Sequence, residues 1–417
     1  ALVELGAGCR ALYRLDLDTF TFVNHGAFGG ALRSCLQLAF EWNQYAESQP
    51  LRYFDRTLFP HVVHSVRRLA SVVNAEPQDI VLVQNATTGL NAVLKSQKFA
   101  PGDVVFMLSI AYGSVKKMVD TIASYHPEVT VCRADVDLAS LTHPDDVVGF
   151  VMGAMPERTK FAVFDHVTSN TALVLPVDKL VAACKARGVE CLIDGAHALG
   201  SLPLDLSALG AAYYVSNLHK WMSGCKGAAL LYVRRDLQPD VHPVVISHGF
   251  GAGCESPPPY LPPPLNAHLT VLSEFSWDGC RDYTAMLVVP QLLDFWEALG
   301  LERCQEYCRN LCVEACAVLT SAWGTETLSP PSFYSHMALV TVPLRVVRRV
   351  QAACGSLGTL PPTSDHSKAL QDFLYEQNVE CPVKCLEGGL HVRISCMVYN
   401  TAEDYELLAA TVLSFPE

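Results

Sequence analysis

Seven short apolar segments between residues 79 and 235 constrain the fold more than any other feature of this sequence. Stretches with helical character, such as TTGLNAVLKSQ and PVDKLVAACKARG, separate several of them. Continuous apolar strands that alternate with helices predict a mainly parallel sheet covered on both faces, with ligands at the carboxyl ends of its strands. The seven predicted strands cover residues 79 to 85, 103 to 109, 129 to 134, 161 to 167, 191 to 196, 211 to 217 and 228 to 235.

The sequence after these segments predicts a second, smaller unit with α+β character. A chain of 417 residues, half of them hydrophobic, is long enough for about two domains. We predict an N-terminal arm at 1–29, a large α/β domain at 30–275 and a small C-terminal domain at 276–417. The proline-rich stretch ESPPPYLPPPL, 255 to 265, is interpreted as a stiff surface loop, with recognition by a PxxP-binding partner as the alternative.

The charge balance and the apolar pattern exclude several classes of protein. A net charge of −12 argues against general binding to nucleic acid or to anionic membranes, which requires surplus Lys and Arg. No apolar run is long enough to span a bilayer, and the first residues do not resemble a signal peptide. We expect a cytoplasmic protein. Because the chain starts at Ala1 rather than Met, a mitochondrial location stays open.

Sixteen cysteines are spread over the chain, and none forms a CxxC motif. This distribution predicts reduced thiols rather than a disulfide scaffold. Cys304, Cys308, Cys312 and Cys316 recur every four residues, which places them along one side of a helix. They could form a metal or redox ladder, but no histidine or second thiol pair lies at ligand spacing. We interpret the stripe as a buried helix face and predict no metal site.

An acid, a histidine and a lysine follow two neighbouring predicted strands. Asp194 closes the apolar run in LIDGAHALG, His197 follows three residues later, and Lys220 comes after the next strand, in YVSNLHKWMSG. Pyridoxal phosphate (PLP) chemistry needs a lysine that forms a Schiff base and a carboxylate that keeps the pyridine nitrogen protonated. Each residue alone could be an ordinary strand-end acid or solvated lysine. Their combination favours a PLP site on one rim of the sheet.

Three further segments could complete such a site. In QNATTGLN, residues 84 to 91, a strand runs into a helix whose free N–H groups, with the hydroxyls of Thr87 and Thr88, form either a phosphate cup or only an N-cap. Tyr112 in SIAYGSVKK could stack on a cofactor ring or serve packing. Ser169 in FDHVTSN could reach the cofactor's 3-hydroxyl or bond to loop backbone.

These segments, in their order along the chain, resemble class V, fold-type I PLP enzymes. The similarity is strongest to the isopenicillin N epimerase-like branch, and within it to L-cysteine desulfhydrases and ergothioneine-pathway C–S lyases. It covers nearly the whole chain and implies a large PLP-binding domain, a small C-terminal domain and a homodimer with shared active sites. The matching segments are NHGAFGG, NATTGLN, DHVTSN, DGAHALG, GAAYYVSNLHKW, HPVVISHGFG, WDGCRDY, RDYTAMLVVP and VRISCMVYNTAEDYE.

The resemblance also implies a role for each matching residue. It makes Lys220 the Schiff-base lysine and Asp194 the partner of the pyridine nitrogen. Arg393, on a C-terminal strand, would bind the substrate α-carboxylate through a bidentate fork. Together with the three segments described above, the resemblance predicts the other cofactor contacts: Ala86, Thr87, Thr88, Tyr112, Ser169, His197, Asn217 and His219. The other predicted substrate contacts are Asn24, His25 and Arg52, where a surface arginine is the alternative for Arg52.

One position departs from the family pattern. Relatives carry Gly-Thr-Arg-Asp where this chain has GCRD, and the Gly and Thr contact the phosphate of the neighbouring subunit's cofactor. Here these positions are Gly279 and Cys280, and a thiol is a much weaker donor than a hydroxyl. We predict that the backbone contact is kept and that the side-chain bond is weakened.

Three reactions use this combination of PLP, a Schiff-base lysine and a carboxylate-binding arginine: β-elimination of a sulfur group, epimerisation at Cα and persulfide-forming desulfuration. A desulfurase needs a nucleophilic cysteine shortly before the carboxylate-binding arginine, and Cys381 and Cys385 in that window are interpreted as structural. An epimerase needs a base on each face of the carbanion, or one base that serves both faces. Lys220 covers one face, and no obvious second base is present beyond His25 or Tyr112. β-Elimination needs Lys220 alone.

The sequence therefore predicts a PLP-dependent carbon–sulfur lyase acting on a small amino acid, L-cysteine or a cysteine S-conjugate. An epimerase is the first alternative and a cysteine desulfurase the second. A scaffold protein that only keeps the fold would be expected to have lost the lysine or the acid, and both are present.

Overall fold

The central element of the fold is a seven-stranded sheet, seen in a computed structural model that describes residues 3–250, 270–356 and 360–417. Its strands have continuous apolar sequences, and most of their side chains are buried. They are β2 (Ile80–Val83), β3 (Val104–Leu108), β4 (Thr130–Ala134), β5 (Thr159–Asp165), β6 (Glu190–Asp194), β7 (Tyr213–Asn217) and β8 (Ala229–Val233), and β1 (Thr21–Phe22) lies outside this sheet. All seven strands predicted from the sequence are confirmed.

The strand order is β2-β8-β7-β6-β5-β3-β4. Only β8 runs antiparallel to its two neighbours, so the sheet is mainly parallel as predicted. Each face of the sheet packs into its own hydrophobic core. Because both faces are covered, ligands can reach the sheet only at the ends of its strands.

Helices cover the sheet and build the second unit. Those before or around the large sheet are His25–Phe28, Arg33–Ser48, Pro50–Arg52, Leu58–Val72, Ala86–Ser96, Gly113–Tyr125, Pro144–Ala154, Val177–Ala186 and Leu206–Leu209. Those that follow it are Thr270–Ser276, Thr284–Leu287, Val289–Leu299, Leu301–Trp323, Leu344–Ala353, Ser364–Glu376 and Ala402–Leu413. The proline-rich stretch at 255 to 265, predicted as a loop, lies outside the described residues.

Parallel register brings the ends of the middle strands together. Asp165 at the end of β5 pairs with Asp194 at the end of β6, and Asp194 pairs with Val215 of β7. The loops after β2, β3, β5, β6 and β7 therefore open on one rim. These loops carry most of the predicted cofactor contacts.

The C-terminal part forms a smaller antiparallel sheet, as the sequence predicts for an α+β unit. It contains β9 (Met337–Thr341), β11 (Val383–Leu386) and β12 (Gly389–Ser395) in the order β11-β12-β9, while the two-residue β10 (Val379–Glu380) pairs with β1. One face of this sheet, including Val392, packs into its own hydrophobic core.

The helix Leu301–Trp323 contributes to two hydrophobic cores: the larger of the two cores on the large sheet, called the larger core, and the core of the small sheet, called the smaller core. Its first turns, with Cys304 and Cys308, pack into the larger core together with the Val289–Leu299 helix, whereas Cys312 and Cys316 pack into the smaller core. The predicted domain limits at 29/30 and 275/276 stay predictions. The packing shows that side chains well beyond residue 276 belong to the larger core.

The cysteine stripe is a buried helix face, as interpreted from the sequence. All four thiols are buried, and burial raises the pKa of Cys304 to about 11. In the described part of the chain, no group of His, Cys, Asp and Glu side chains is arranged to hold a metal ion. These thiols therefore act as small hydrophobic side chains.

Within the described ranges, no single helix is long and apolar enough to cross a membrane. Among the described helices, only the segments Thr284–Leu299 and Leu301–Trp323 taken together have the length and apolar composition of a membrane span, and they meet at a bend of 71°.

The Cys308→Ala substitution tests the structural role of the stripe. Removing the fully buried sulfur should lower the free energy of unfolding by about 1–2 kcal/mol, because the packed core loses contacts. Urea unfolding measures this change. Cys354→Ala at an exposed position is the matched control and should change stability by less than about 0.5 kcal/mol. Loss of stability on adding a chelator would contradict a purely structural stripe.

Candidate active site

A cavity of about 190 Å³ opens at the carboxyl rim of the large sheet. The structure brings most of the predicted cofactor contacts to its wall: Ala86, Thr87, Tyr112, Ser169, Asp194, His197, Asn217, His219 and Lys220. Ala27, Phe28, Asn85, Leu90, Asp165, Val167 and Ala196 complete the lining. The lining residues come from segments that are more than 190 positions apart in the sequence, from Ala27 to Lys220. Most of them follow strands of the large sheet that end at one level.

Lys220 lies in the loop after β7, with its Nζ 2.9 Å from Nε2 of His197. Burial lowers the pKa of the Lys220 amine to about 8, while Asp194 opposes the shift. Burial also lowers the pKa of His197 well below its usual value, so its neutral Nε2 accepts a hydrogen bond from the amine. The arrangement makes Lys220 an amine that can lose its proton near neutral pH.

Two buried carboxyl groups stand behind the lysine. Asp194 accepts a hydrogen bond of 3.0 Å from the N–H of Ala196, and burial raises its pKa despite that bond and Lys220. Burial, and then the neighbouring Asp194, raise the pKa of Asp165 well above its usual value. Two adjacent carboxyl groups in one apolar setting cannot both ionise easily, so a cationic group in the cavity would stabilise one of them as an anion.

Sequence reasoning missed Asp165. The signal was present in FDHVTSN, where Asp165 ends an apolar strand just as Asp194 does in LIDGAHALG. Only the register of β5 against β6 shows that the two acids are neighbours.

The start of the Ala86–Ser96 helix lies at the cavity wall. Asn85 caps this helix by accepting the N–H of Thr88 at 2.9 Å, and the N–H of Ala86 donates to the Asn217 amide oxygen at 2.9 Å. Thr87 lines the cavity next to these groups with an exposed side chain. The N–H groups of Ala86 and Thr88 are thus already bonded, and the exposed Thr87 and the partial positive charge of the helix N-terminus are what this end offers to a phosphate group.

The predicted cofactor contact of Thr88 is not supported. Its hydroxyl donates to Asn85 Oδ1 at 3.2 Å, and the side chain does not line the cavity. Thr88 belongs to the helix cap, the alternative that the sequence left open.

Tyr112, Ser169 and His219 line different sides of the cavity. Tyr112 is 42% exposed and precedes the Gly113–Tyr125 helix, which leaves its ring free to stack on a ligand. Burial lowers the pKa of His219 to about 4, and its Nδ1 is buried without a hydrogen-bond partner among the described residues. An unpaired buried donor or acceptor at a cavity wall indicates a missing ligand atom.

Arg393 is a buried cation on β12 that has no acidic partner in the described ranges. Its Nη1 donates to the carbonyl of Ser169 at 2.5 Å, while its Nε has no hydrogen-bond partner there. Burial lowers the pKa of this guanidinium to about 10. Because an unpaired buried charge is costly, this site is suited to an anionic ligand such as a carboxylate.

His25 does not lie where the sequence placed it. It is absent from the cavity wall, and both of its ring nitrogens are occupied: Nε2 donates to the carbonyl of Lys220 at 3.0 Å, and Nδ1 accepts from Tyr399 Oη at 2.9 Å. Because the carbonyl can only accept, this tautomer is required. His25 therefore holds the main chain of Lys220 and is not a substrate contact of this single chain.

Four other predicted contacts lie outside the cavity of this single chain. Asn24 has a buried Oδ1 with no partner in the described residues, whereas Arg52 and Cys280 are exposed. Asp278, beside Gly279, accepts a hydrogen bond of 2.9 Å from Gln84, which ties this turn to the end of β2. The roles of these residues stay predictions.

The two cysteines considered for desulfuration do not line the cavity. Cys381 is buried behind Arg393, with its Sγ 3.9 Å from the Arg393 carbonyl, and burial raises its pKa well above the usual range. Burial also raises the pKa of Cys385, whose Sγ lies 3.1 Å from the Pro362 carbonyl. Neither thiol is exposed as a thiolate nucleophile.

The residues present fit pyridoxal 5'-phosphate. The cavity offers a helix N-terminus for a phosphate, a primary amine for an aldehyde and a buried acid for a protonated ring nitrogen. The unpaired Nδ1 atoms of His197 and His219 mark polar positions that a ligand would complete. Arg393 does not itself line the cavity, but its guanidinium reaches the carbonyl of the wall residue Ser169, a position suited to the carboxylate of an amino acid.

Comparison with known proteins shows relatives and structural neighbours over nearly the whole chain. A family model described as aminotransferase class-V matches residues 60–257. A putative L-cysteine desulfhydrase 1 of Oryza sativa subsp. japonica is 32% identical, over 94% of this chain and 82% of the relative. A probable chloroplastic L-cysteine desulfhydrase of Arabidopsis thaliana is also 32% identical, over 93% of this chain and 81% of the relative. The solved structure of the cystine C–S lyase C-DES with cysteine persulfide has a TM-score of 0.80 and 20% identity, over 96% of this chain and 99% of that one.

The pKa of Lys220 predicts a pH-dependent stability of the cofactor-free protein. The pKa of Lys220 is about 8 in the folded protein and has its ordinary value of 10.5 in the unfolded chain. Between these two pH values the unfolded chain binds more protons than the folded protein, so the folded protein becomes more stable as pH rises. Below pH 8 the folded protein has to bury a charged ammonium group, and that cost is lost at higher pH. Lys220→Met should therefore stabilise the protein at pH 7 by roughly 1–3 kcal/mol, and by much less at pH 10. Urea unfolding at both pH values measures the difference. A gain that is equal at both would contradict the assigned burial cost.

Proposed function

The chain belongs to the class-V aminotransferase family, and from that premise we propose that it is a PLP-dependent carbon–sulfur lyase. It releases sulfide or a thiol, with pyruvate and ammonia, from L-cysteine or a cysteine S-conjugate. The observation that carries the proposal is a cavity with one primary amine, Lys220, backed by the buried acid Asp194, and no thiol among its described lining residues. The names of the desulfhydrase relatives support the same activity.

PLP, when bound, supplies an electron-accepting ring that stabilises negative charge at the substrate Cα. Lys220 would bind its aldehyde, Asp194 would hold the proton of the ring nitrogen, and Tyr112 would cover a ring face. Its phosphate would lie at the N-terminus of the Ala86–Ser96 helix, beside Thr87 and His219. Each assignment matches a group that lines the cavity.

The chain's own residues account for the elimination. Arg393 holds the α-carboxylate, which orients the Cα–H bond toward the Lys220 amine. With a pKa lowered to about 8 by burial, that amine can take the Cα proton near neutral pH. The Cα–H and Cβ–S bonds break, the electron pair forms a carbon–carbon double bond and the thiolate leaves. Addition of water then yields pyruvate and ammonia.

The two alternative reactions are less well supported by the site. Epimerisation needs a base on each face of the carbanion or one base that serves both faces; His25 is occupied by Lys220 and Tyr399, which leaves only Tyr112 on the cavity wall, and we assign that ring to stacking on the cofactor. Desulfuration needs a thiolate near the substrate sulfur, but Cys381 and Cys385 are outside the cavity wall. β-Elimination needs no group beyond Lys220.

We infer that the active form is a homodimer with shared sites. Phe28 lines the cavity and is 73% exposed, and Leu51, which precedes Arg52, is 74% exposed. Large exposed apolar side chains, one of them on the cavity wall, are typical of a surface that a second copy covers. By resemblance to the family, Gly279 and Cys280 of one subunit would lie near the cofactor phosphate of the other in this arrangement, and Arg52 would line the substrate side.

Lys220→Ala tests the proposed activity. Pyruvate release from L-cysteine and S-substituted cysteines should fall by a factor of about 1,000 or more, because the variant has no base at Cα. Coupled lactate dehydrogenase and a sulfide or thiol assay measure the products. Lys226→Ala, at an exposed position nearby, is the control and should keep full activity. Racemised amino acid without pyruvate in the wild-type protein would refute the lyase.

Cys280→Thr tests the shared site. A hydroxyl in place of the thiol should tighten PLP binding roughly threefold to tenfold, because it adds one good donor to the phosphate of the neighbouring subunit. Fluorescence titration of the cofactor-free protein gives the Kd, and analytical ultracentrifugation gives the oligomeric state. A monomer, or a Kd unchanged by this substitution in a dimer, would argue against the contact.

A further inference from the structure

We propose that Lys384 forms, beside Arg393, a second anion-binding position for the substrate, so that the enzyme prefers cysteine S-conjugates whose sulfur substituent ends in a carboxylate or a similar acid. This inference rests on the proposed function and names its substrate class. Arg393 would hold the α-carboxylate, and Lys384 would hold the distal acid.

The register of the small sheet places both cations on one face. Along β12, Val392 points into the smaller core, so its neighbour Arg393 points to the opposite face. On the adjacent strand β11, Val383 pairs with Val392 and Lys384 pairs with His391. Residues 384, 391 and 393 therefore share a face, and Lys384 is the diagonal neighbour of Arg393, at a Cα separation of about 7–8 Å.

This face looks toward the large domain. Leu339 and Met337, which pair with Arg393 and Ser395 from β9, pack into the larger core. The guanidinium of Arg393 reaches the carbonyl of Ser169, a residue of the cavity wall. Lys384 thus lies one strand farther from the Ser169 contact, on the edge strand of the sheet. A ligand that extends from the α-carboxylate along this face would meet its ammonium group.

Neither cation is neutralised within the described part of the chain. Lys384 is partly buried and has no ion-pair or hydrogen-bond partner there, and Arg393 has only the Ser169 carbonyl. Burial, and then Arg393, lower the pKa of Lys384 to about 8. Two cations that repel each other on a partly desolvated face are costly unless an anion binds between or beside them. A single α-carboxylate satisfies the Arg393 fork and leaves the ammonium unpaired.

A matched pair of substrates tests the position. S-(2-carboxyethyl)-L-cysteine carries the distal acid, and S-(2-carbamoylethyl)-L-cysteine is its neutral isostere. In Lys384→Met, the ratio of kcat/KM for the acid to that for the amide should fall about tenfold, mainly through KM, because one charge-assisted bond is lost. Comparing the ratio between proteins cancels the difference in leaving groups. Lys384→Arg should restore most of the preference.

The control variant is Lys368→Met. Lys368 is exposed on the Ser364–Glu376 helix and pairs with Asp372, so its loss should leave the ratio unchanged. An unchanged ratio in Lys384→Met would overturn the proposal. An equal loss for both substrates would also overturn it, because Lys384 would then serve the α-carboxylate.

Binding without turnover separates this inference from the proposed reaction. Thiodipropionate has two carboxylates and no amino group, so it cannot react with PLP, and its monoamide is the control ligand. Calorimetry on the PLP-loaded protein should show tighter binding of the diacid, and loss of that advantage in Lys384→Met. This outcome supports the second position even if no substrate yields pyruvate. Equal affinity for diacid and monoamide would refute it.

Discussion

The register between β5, β6 and β7 is the constraint on which the site depends. It ends three parallel strands at one level, so Asp165, Asp194 and the loop that carries Lys220 meet at a single rim. A shift of one residue in β5 or β6 would turn its terminal acid to the other face of the sheet. The apolar side chains on both faces prevent such a shift, because each would exchange one core for the other.

Desolvation acts on the same rim and gives the groups their chemical character. The pKa of the Lys220 amine is lowered mainly by burial, while burial raises the pKa of Asp194. His25 contributes from the N-terminal segment by bonding to the Lys220 carbonyl, which orders the loop that carries the amine. The arm is thus part of the catalytic architecture although it is distant in sequence.

The small domain places two further cationic side chains near the site that contains Lys220. Arg393 and Lys384 lie on the face of the β11-β12-β9 sheet that looks toward the large domain, and neither has an acidic partner among the described residues. The proposed cofactor contacts and the proposed substrate contact Arg393 therefore lie on different sheets. Their relative position is maintained by elements that belong to both the larger and the smaller core, such as the Leu301–Trp323 helix.

Several local features could be predicted from the sequence because they depend on short segments. Apolar runs bounded by polar loops identified the seven strands, and an acid and a lysine at strand ends identified the Lys220–Asp194 site. The spacing of Cys304 to Cys316 identified one buried helix face. In each case the pattern of apolar and polar residues within a short segment was enough for the prediction.

Other features depended on the tertiary structure, because they arise between residues that are far apart in the chain. The sequence could not show that Asp165 stands beside Asp194, that Tyr399 and the Lys220 carbonyl occupy His25, or that the Thr88 hydroxyl bonds to the cap residue Asn85 rather than lining the cavity. Strand register, hydrogen-bond partners and the presence or absence of a counterion are properties of the packed molecule. Composition and spacing determined which chemical groups are available, and packing decided which of them face the cavity, which are occupied and which remain charged without a partner.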